Sequence, residues 1–291
     1  QRMVDEDCAD IYVKFEGINV GGSIKTRTAY EMILAAEKEG LIKEDTIIVE
    51  PTSGNQGIGL ALVGAVRGYH TVIIMPDSVS EERRKLVRHY GADVKLIHDA
   101  GDIGACIDEC LKTALRMQEK DPRVFVPQQF ANINNVKAHK NHTALEIMEQ
   151  VAGPIDGFCS GIGTGGTITG IGESLRAQYP GIEIWAVEPE NAAILAGGTI
   201  GTHLQMGIGD GIIPDILNQQ IYDNIYVISD AEALDTAKRL AREEGLMCGI
   251  SSGTNVAAAL KLAKKLGPGK TVVTVLPDTA ERYFSTPLFE E

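Results

Sequence analysis

No stretch of this chain reaches the roughly 18 consecutive apolar residues that a membrane-spanning helix needs, and no cleavable secretion signal opens it. A membrane is therefore not expected as a partner. Positive charge is also in short supply: 27 lysines and arginines face 40 aspartates and glutamates, leaving a net charge of −13. Nucleic acids and anionic membrane surfaces ask for a clustered basic face, so neither is expected. The five cysteines (Cys8, Cys106, Cys110, Cys159 and Cys248) form neither an even disulfide set nor a Cys-x-x-Cys metal pair. A reducing cytoplasm is the setting this implies. Cys106 and Cys110, at i and i+4 of a helical pattern, read as two small core residues sharing a face. Metal-ligand spacing is missing among the histidines. His139 and His142 would share a helix face at i and i+3, but no third ligand accompanies them, and no metal is expected. Internal repeats, low-complexity tracts and proline-rich linkers are absent as well.

What the chain does have is glycine, 32 in 291 residues, which predicts many tight turns. The length suits one large or two medium domains. Short Val- and Ile-rich runs at 46–49, 71–75, 93–97, 155–159, 183–187, 225–228 and 271–275 read as buried parallel strands. Helical patterns separate most of them, at 58–66, 80–89, 103–118, 167–178, 230–244 and 254–265. This predicts an open α/β architecture. Three strands end before Gln128 and a new group begins at Ile155, which points to two α/β lobes with mainly parallel sheets and a cleft between them. Ligands of such sheets bind beyond the carboxyl ends of strands.

The motifs fall at those ends. Gly21-Gly22-Ser23-Ile24-Lys25-Thr26-Arg27 places Lys25 at the start of an amphipathic run. Pro51-Thr52-Ser53-Gly54-Asn55-Gln56-Gly57 follows a strand and precedes a helix, so its amides and hydroxyls can receive a carboxylate or phosphate. A lysine with an anion loop suggests Schiff-base chemistry. A third loop, Gly161-x-Gly163-x-x-Gly166, also sits between strand and helix, with Glu188 ending the next strand. By spacing alone this is a dinucleotide fingerprint, so an NAD-dependent oxidoreductase is the rival reading. However, Thr164 and Thr167 add hydroxyls that suit a terminal phosphate, and the oxidoreductase leaves Lys25 and Gln129 without a role.

These residues resemble the cysteine synthase-like (O-acetylserine sulfhydrylase and cystathionine β-synthase) family of pyridoxal phosphate (PLP) enzymes of fold type II, the tryptophan synthase β-like fold. The likeness continues through Gln128-Gln129-Phe130, the 160–167 loop, Gly249-Ile250-Ser251-Ser252-Gly253 and 276–283, in family order. Departures are Val20 for the usual proline, Thr26 for aspartate, Gln56 for threonine, and Asp210 within Gly207-Ile208-Gly209-Asp210-Gly211; of these, Asp210 bears on the chemistry.

The resemblance implies a smaller, mobile, substrate-clamping lobe at 30–132 and a larger PLP-binding lobe formed by 1–29 and 133–291, with the active site in the cleft. Lys25 would anchor the cofactor and then take the substrate's α-proton. Asn55 would meet the cofactor's ring oxygen, Gly163, Thr164, Gly165, Gly166 and Thr167 its phosphate, and Ser251 its pyridine nitrogen. Thr52, Ser53, Gly54, Asn55, Gln129 and Gly207 would bind substrate, with Asp210 as a further catalytic candidate. The implied reaction is β-replacement on a β-substituted L-alanine, with cysteine synthase from O-acetyl-L-serine or O-phospho-L-serine plus sulfide first. The alternative consumes L-cysteine and releases hydrogen sulfide, making lanthionine or cystathionine or acting as a desulfhydrase. A homodimer is family habit. The chain begins at Gln1, before which the family carries a further strand and motif, so an N-terminal segment is expected to precede it.

Overall fold

The structure, a computed structural model, describes residues 2–52, 54–101 and 103–290. Among these the chain forms nine strands: β1 (Asp10–Phe15), β2 (Ile47–Pro51), β3 (His70–Pro76), β4 (Asp93–Ile97), β5 (Val124–Phe125), β6 (Gly157–Gly161), β7 (Glu183–Pro189), β8 (Asn224–Ile228) and β9 (Thr271–Leu276). The helices are α1 (Lys25–Lys38), α2 (Asn55–Arg67), α3 (Glu81–His89), α4 (Ile103–Lys120), α5 (Ile133–Ala138), α6 (Ala144–Gln150), α7 (Gly166–Gln178), α8 (Asp230–Glu244) and α9 (Ile250–Leu266), with a π turn over His139–Thr143 joining α5 to α6. The chain divides into two compact units, residues 19–135 and residues 1–18 with 136–291.

The smaller unit is built on a four-stranded sheet of order β4-β3-β2-β5, every pair parallel. Alternate side chains of a strand face opposite ways, and both sides here are apolar. Ile48, Ile73 and Met75 pack with Ala29 and Ile33 of α1, Ile58 and Leu60 of α2 and Val87 of α3, while Val49, Val72 and Ile74 pack with Cys110 and Ala114 of α4. Both Cys106 and Cys110 are buried, as expected of small core residues. Residues 19–29, expected with the larger lobe, group with the smaller unit because α1 starts at Lys25 and lies along α2. Gly59 permits that approach: a Cβ there would come within 2.8 Å of the Lys25 carbonyl oxygen.

The larger unit has a five-stranded parallel sheet of order β1-β9-β6-β7-β8. On β7, Ile184 and Ala186 face a core with Ile168, Ile171 and Leu175 of α7, and Trp185 and Val187 face the other core, with α8 and α9. Ser229 caps α8 by accepting the Glu232 amide at 3.2 Å, and Gly245, at φ 71°, ends it. All seven expected strands are present. The unexpected β1 and β5 each lie at one edge of a sheet.

Candidate active site

In the smaller unit the site residues sit where strands end and helices begin. Gly21 and Gly22 take left-handed φ values of 86° and 71°, and the Gly22 amide bonds to the Asn19 carbonyl at 2.7 Å. This tight turn, open to glycine without strain, delivers Lys25 as the first residue of α1, half-buried. Asn55 is likewise the first residue of α2. Before it, the Gly54 amide donates to Thr52 Oγ1 at 3.2 Å, and Gly54 offers α2 no side-chain cap. Ser53 lies outside the described residues. Gln56, the departure from the family's threonine, points inward. It is 1% exposed and accepts from Thr28 Oγ1 at 2.7 Å, tying α2 to the helix that begins with Lys25.

Gln129 is buried just past β5, and Gln128 before it has φ 57°, the only left-handed residue other than glycine among those described. Both amides donate to Glu50 of β2, Gln128 to Oε2 and Gln129 to Oε1, each at 2.9 Å. Glu50 is fully buried. Burial pushes its carboxyl up to about 7, against the downward pull of the Gln129 and Gln128 amides and of the Lys25 charge.

In the larger unit, β6 runs into the loop that opens α7. Gly165 stands at the N-cap with φ 79° and contributes no side-chain cap. Thr164 is buried and Thr167 half-buried. A Cβ on Gly163 would lie 2.4 Å from the Gly207 carbonyl oxygen, and Asp210 Oδ2 is 3.5 Å from the same point. The Gly209 amide donates to the Ile162 carbonyl at 2.8 Å, so the 207–210 turn is laced directly to the loop. Gly207 and Asp210 are exposed, while Ser251, in the first turn of α9, is buried.

Two residues left without a role by the sequence complete these groups. Glu50 is one; its signal was a charged residue closing an otherwise apolar run. His139 is the other. Its ring pairs with Thr143 Oγ1 at 3.1 Å and with Thr167 Oγ1 at 3.3 Å, so it is a support for the loop threonine. His139 and His142 do not share a face: the π turn widens the helix there, burying the first and leaving the second exposed.

The arrangement decides between the two cofactor readings. In the oxidoreductase, Glu188 would reach a ribose. Instead it is buried and accepts the Leu195 and Ala196 amides at 2.9 and 3.0 Å, which occupies its carboxylate. The 163–167 loop fits a phosphate monoester: glycines too tightly packed to carry a side chain, an uncapped start to a 13-residue helix, and two threonine hydroxyls. Residues 1–278 match the family model described as "Pyridoxal-phosphate dependent enzyme". The chain belongs to that family.

As a pyridoxal-phosphate dependent enzyme it has close relatives of more than one activity. It is 48% identical to a cysteine synthase of Staphylococcus aureus (strain N315) over 290 residues, covering 99% of this chain and 92% of that protein. Its structure superposes on that of an O-ureido-L-serine synthase with a TM-score of 0.91 at 42% identity, covering 100% of this chain and 90% of that one. For a hydrogen sulfide-producing enzyme of Fusobacterium nucleatum the TM-score is 0.91 at 41% identity, with 96% and 92% covered. The fold is that of these enzymes, and PLP is the cofactor.

Proposed function

We propose that this enzyme carries out β-replacement on a β-substituted L-alanine, and that it acts as a cysteine synthase, joining sulfide to the carbon skeleton of O-acetyl-L-serine or O-phospho-L-serine. The observation that supports this most is Lys25 at the head of α1, packed against α2, which begins at Asn55 directly after Gly54 and close behind Thr52. Bound PLP supplies an electron sink that acidifies the α-carbon of an amino acid held on it. Lys25 would hold the cofactor through its Nζ, and the same amine, when free, would accept the α-proton. Gly163, Thr164, Gly165, Gly166 and Thr167 hold the phosphate, and Asn55 donates to the ring oxygen. Ser251 would give the cofactor's pyridine nitrogen a neutral hydroxyl partner, which would limit the charge the ring can take and favour expulsion of a β-leaving group over transamination. Thr52, Ser53, Gly54, Asn55 and Gln129 bind the substrate carboxylate, and Gly207 is a further substrate-binding residue. A cytoplasmic homodimer is the form in which we expect it.

The test is to supply O-acetyl-L-serine, O-phospho-L-serine and L-cysteine in separate reactions, each with and without sulfide, and to measure cysteine formed and sulfide released. Cysteine made from either O-substituted serine supports the reading. Sulfide released from L-cysteine, with no cysteine made from the other two, overturns it in favour of the L-cysteine-consuming alternative.

Asp210 favours that alternative. Its carboxylate lies against Gly163 of the loop assigned to the phosphate. A carboxylate 4 Å from an incoming hydrosulfide anion costs about 1 kcal/mol in water-like surroundings and more where water is excluded. The same group can take a proton from a neutral thiol or water, or hold the ammonium of an amino-acid thiol. Asp210→Ala should leave release of the leaving group nearly unchanged, slow the reaction with cysteine or homocysteine, and spare or speed the one with sulfide. Stopped-flow measurement of the second half-reaction with each nucleophile reads this directly. Equal rates with both, before and after the substitution, would remove Asp210 from the chemistry.

A further inference from the structure

Glu50 stands out among the charged residues. It sits within β2 at 0% exposure, next to the strand's last residue, Pro51. Its two oxygens each take one backbone amide, those of Gln128 and Gln129, at 2.9 Å. The carbonyls of the same two residues are also held: Ala131 and Asn132 amides donate to the Gln128 oxygen at 3.0 Å, and Asn135 Nδ2 to the Gln129 oxygen at 2.9 Å. The turn so enclosed contains the left-handed Gln128, a conformation that a residue with a Cβ keeps only where its surroundings impose it.

A buried carboxylate is a poor device for stability alone, since desolvation offsets much of what its bonds return. It is a good device for geometry. Two adjacent N–H groups pointing the same way are matched by a carboxylate, which accepts at both oxygens, and not by a carboxamide, which must present a donor at one end. We propose that Glu50 is a positioning residue for the substrate carboxylate: by gripping the Gln128 and Gln129 amides, it holds Gln129 in the conformation that binds the substrate, without touching the substrate. This rests on the assignment of Gln129 to the carboxylate made above.

The experiment uses the PLP-loaded wild type, Glu50→Gln, Glu50→Asp, Gln129→Ala and the Glu50→Gln/Gln129→Ala double variant. Steady-state rates are measured with the accepted amino-acid substrate and with its methyl ester, which lacks the carboxylate charge. Glu50→Gln should raise KM for the acid roughly tenfold while kcat, cofactor absorbance and KM for the second substrate stay within about twofold of wild type. The preference for acid over ester should shrink by a similar factor. Glu50→Asp, which keeps both acceptor oxygens, should recover part of that preference, and it reads the same ratio if Glu50→Gln does not fold. In the Gln129→Ala background the Glu50 substitution should add nothing to KM. Wild-type KM and wild-type ester discrimination in Glu50→Gln, with only a lowered Tm, would overturn the proposal and leave the Gln129 assignment standing. A wild type that treats acid and ester alike, or a Gln129→Ala variant that keeps the wild-type preference for the acid, would overturn the Gln129 assignment and this proposal with it.

Discussion

At the scale of single residues, what could be read from sequence was chemistry carried by local spacing. Lys25 behind two glycines and the glycine-threonine loop at 163–167 announce themselves because a turn, a helix start and an anion-binding group are all set within a few neighbours. Glu50 and His139 could not be read that way. Their partners are Gln128 and Gln129 in one case and Thr167 in the other, far along the chain, and only the fold brings them into bonding distance. Gln56 shows the same limit: seen as a departure in a substrate loop, it is a buried tie between α2 and α1. Glu50 also gives the molecule a pH dependence. Burial raises its folded pKa to about 7, above its ordinary value, despite the amides and Lys25. The folded state therefore binds its proton more tightly than the unfolded chain does. That contribution to stability is complete below the unfolded pKa of about 4.3 and is lost as pH rises through about 7. Urea midpoints of the cofactor-free chain should accordingly fall between about pH 5 and about pH 8, by an amount worth at most about 3 kcal/mol, and the fall should be smaller in Glu50→Gln. Parallel curves for the two proteins would show that Glu50 does not titrate in this window.

At the scale of elements, buried parallel strands were the most legible because both faces are apolar and the runs are rich in Val and Ile. β1 was not, since its DIYVKF sequence mixes charges with apolar residues and it lies at a sheet edge, and β5 is only two residues long. The segment from α5 through α6 was missed for another reason: its Asn, His and Lys content gives little periodicity, and the π turn breaks what there is. That turn has a use, because Gly170 of α7 packs against it so closely that a Cβ would meet His139 Cβ at 2.8 Å and the Lys140 backbone nitrogen at 2.9 Å. The N-terminus of α7 is thereby set beside His139. If Thr164 and Thr167 hold the phosphate as proposed, replacing both by valine keeps the helix and its dipole but removes two donors to a dianionic group, each worth roughly 1.5–3 kcal/mol when the acceptor is charged. PLP retention through gel filtration should fall and added PLP should restore activity. Retention equal to wild type would return the loop to a structural turn.

At the scale of the whole molecule, the family and the cofactor are fixed by features spread over nearly the full chain, whereas the proposed bias in the second nucleophile rests on one side chain, Asp210. The relatives carry more than one activity: a cysteine synthase, an O-ureido-L-serine synthase and a hydrogen sulfide-producing enzyme. Cofactor binding should nevertheless be visible in the stability of the entire chain. On the proposed assignment PLP is held by the 163–167 loop and Lys25, which the unfolded chain does not hold in place, so mass action should stabilise the native state by about 2.7 kcal/mol when free PLP is at ~100 times Kd. For a chain of this size that corresponds to a rise in Tm on the order of 5 °C between cofactor-free and saturated protein. Lys25→Ala should keep part of this rise if the 163–167 loop holds the phosphate as proposed, while losing the absorbance of the lysine-linked cofactor and all turnover. Differential scanning calorimetry over a PLP titration, on wild type and on Lys25→Ala, separates the two contributions. If Lys25→Ala retained both the lysine-linked absorbance and wild-type turnover, Lys25 would not be the anchoring amine. If PLP left the Tm of the wild type unchanged at every concentration, the folded chain would not bind it with useful affinity.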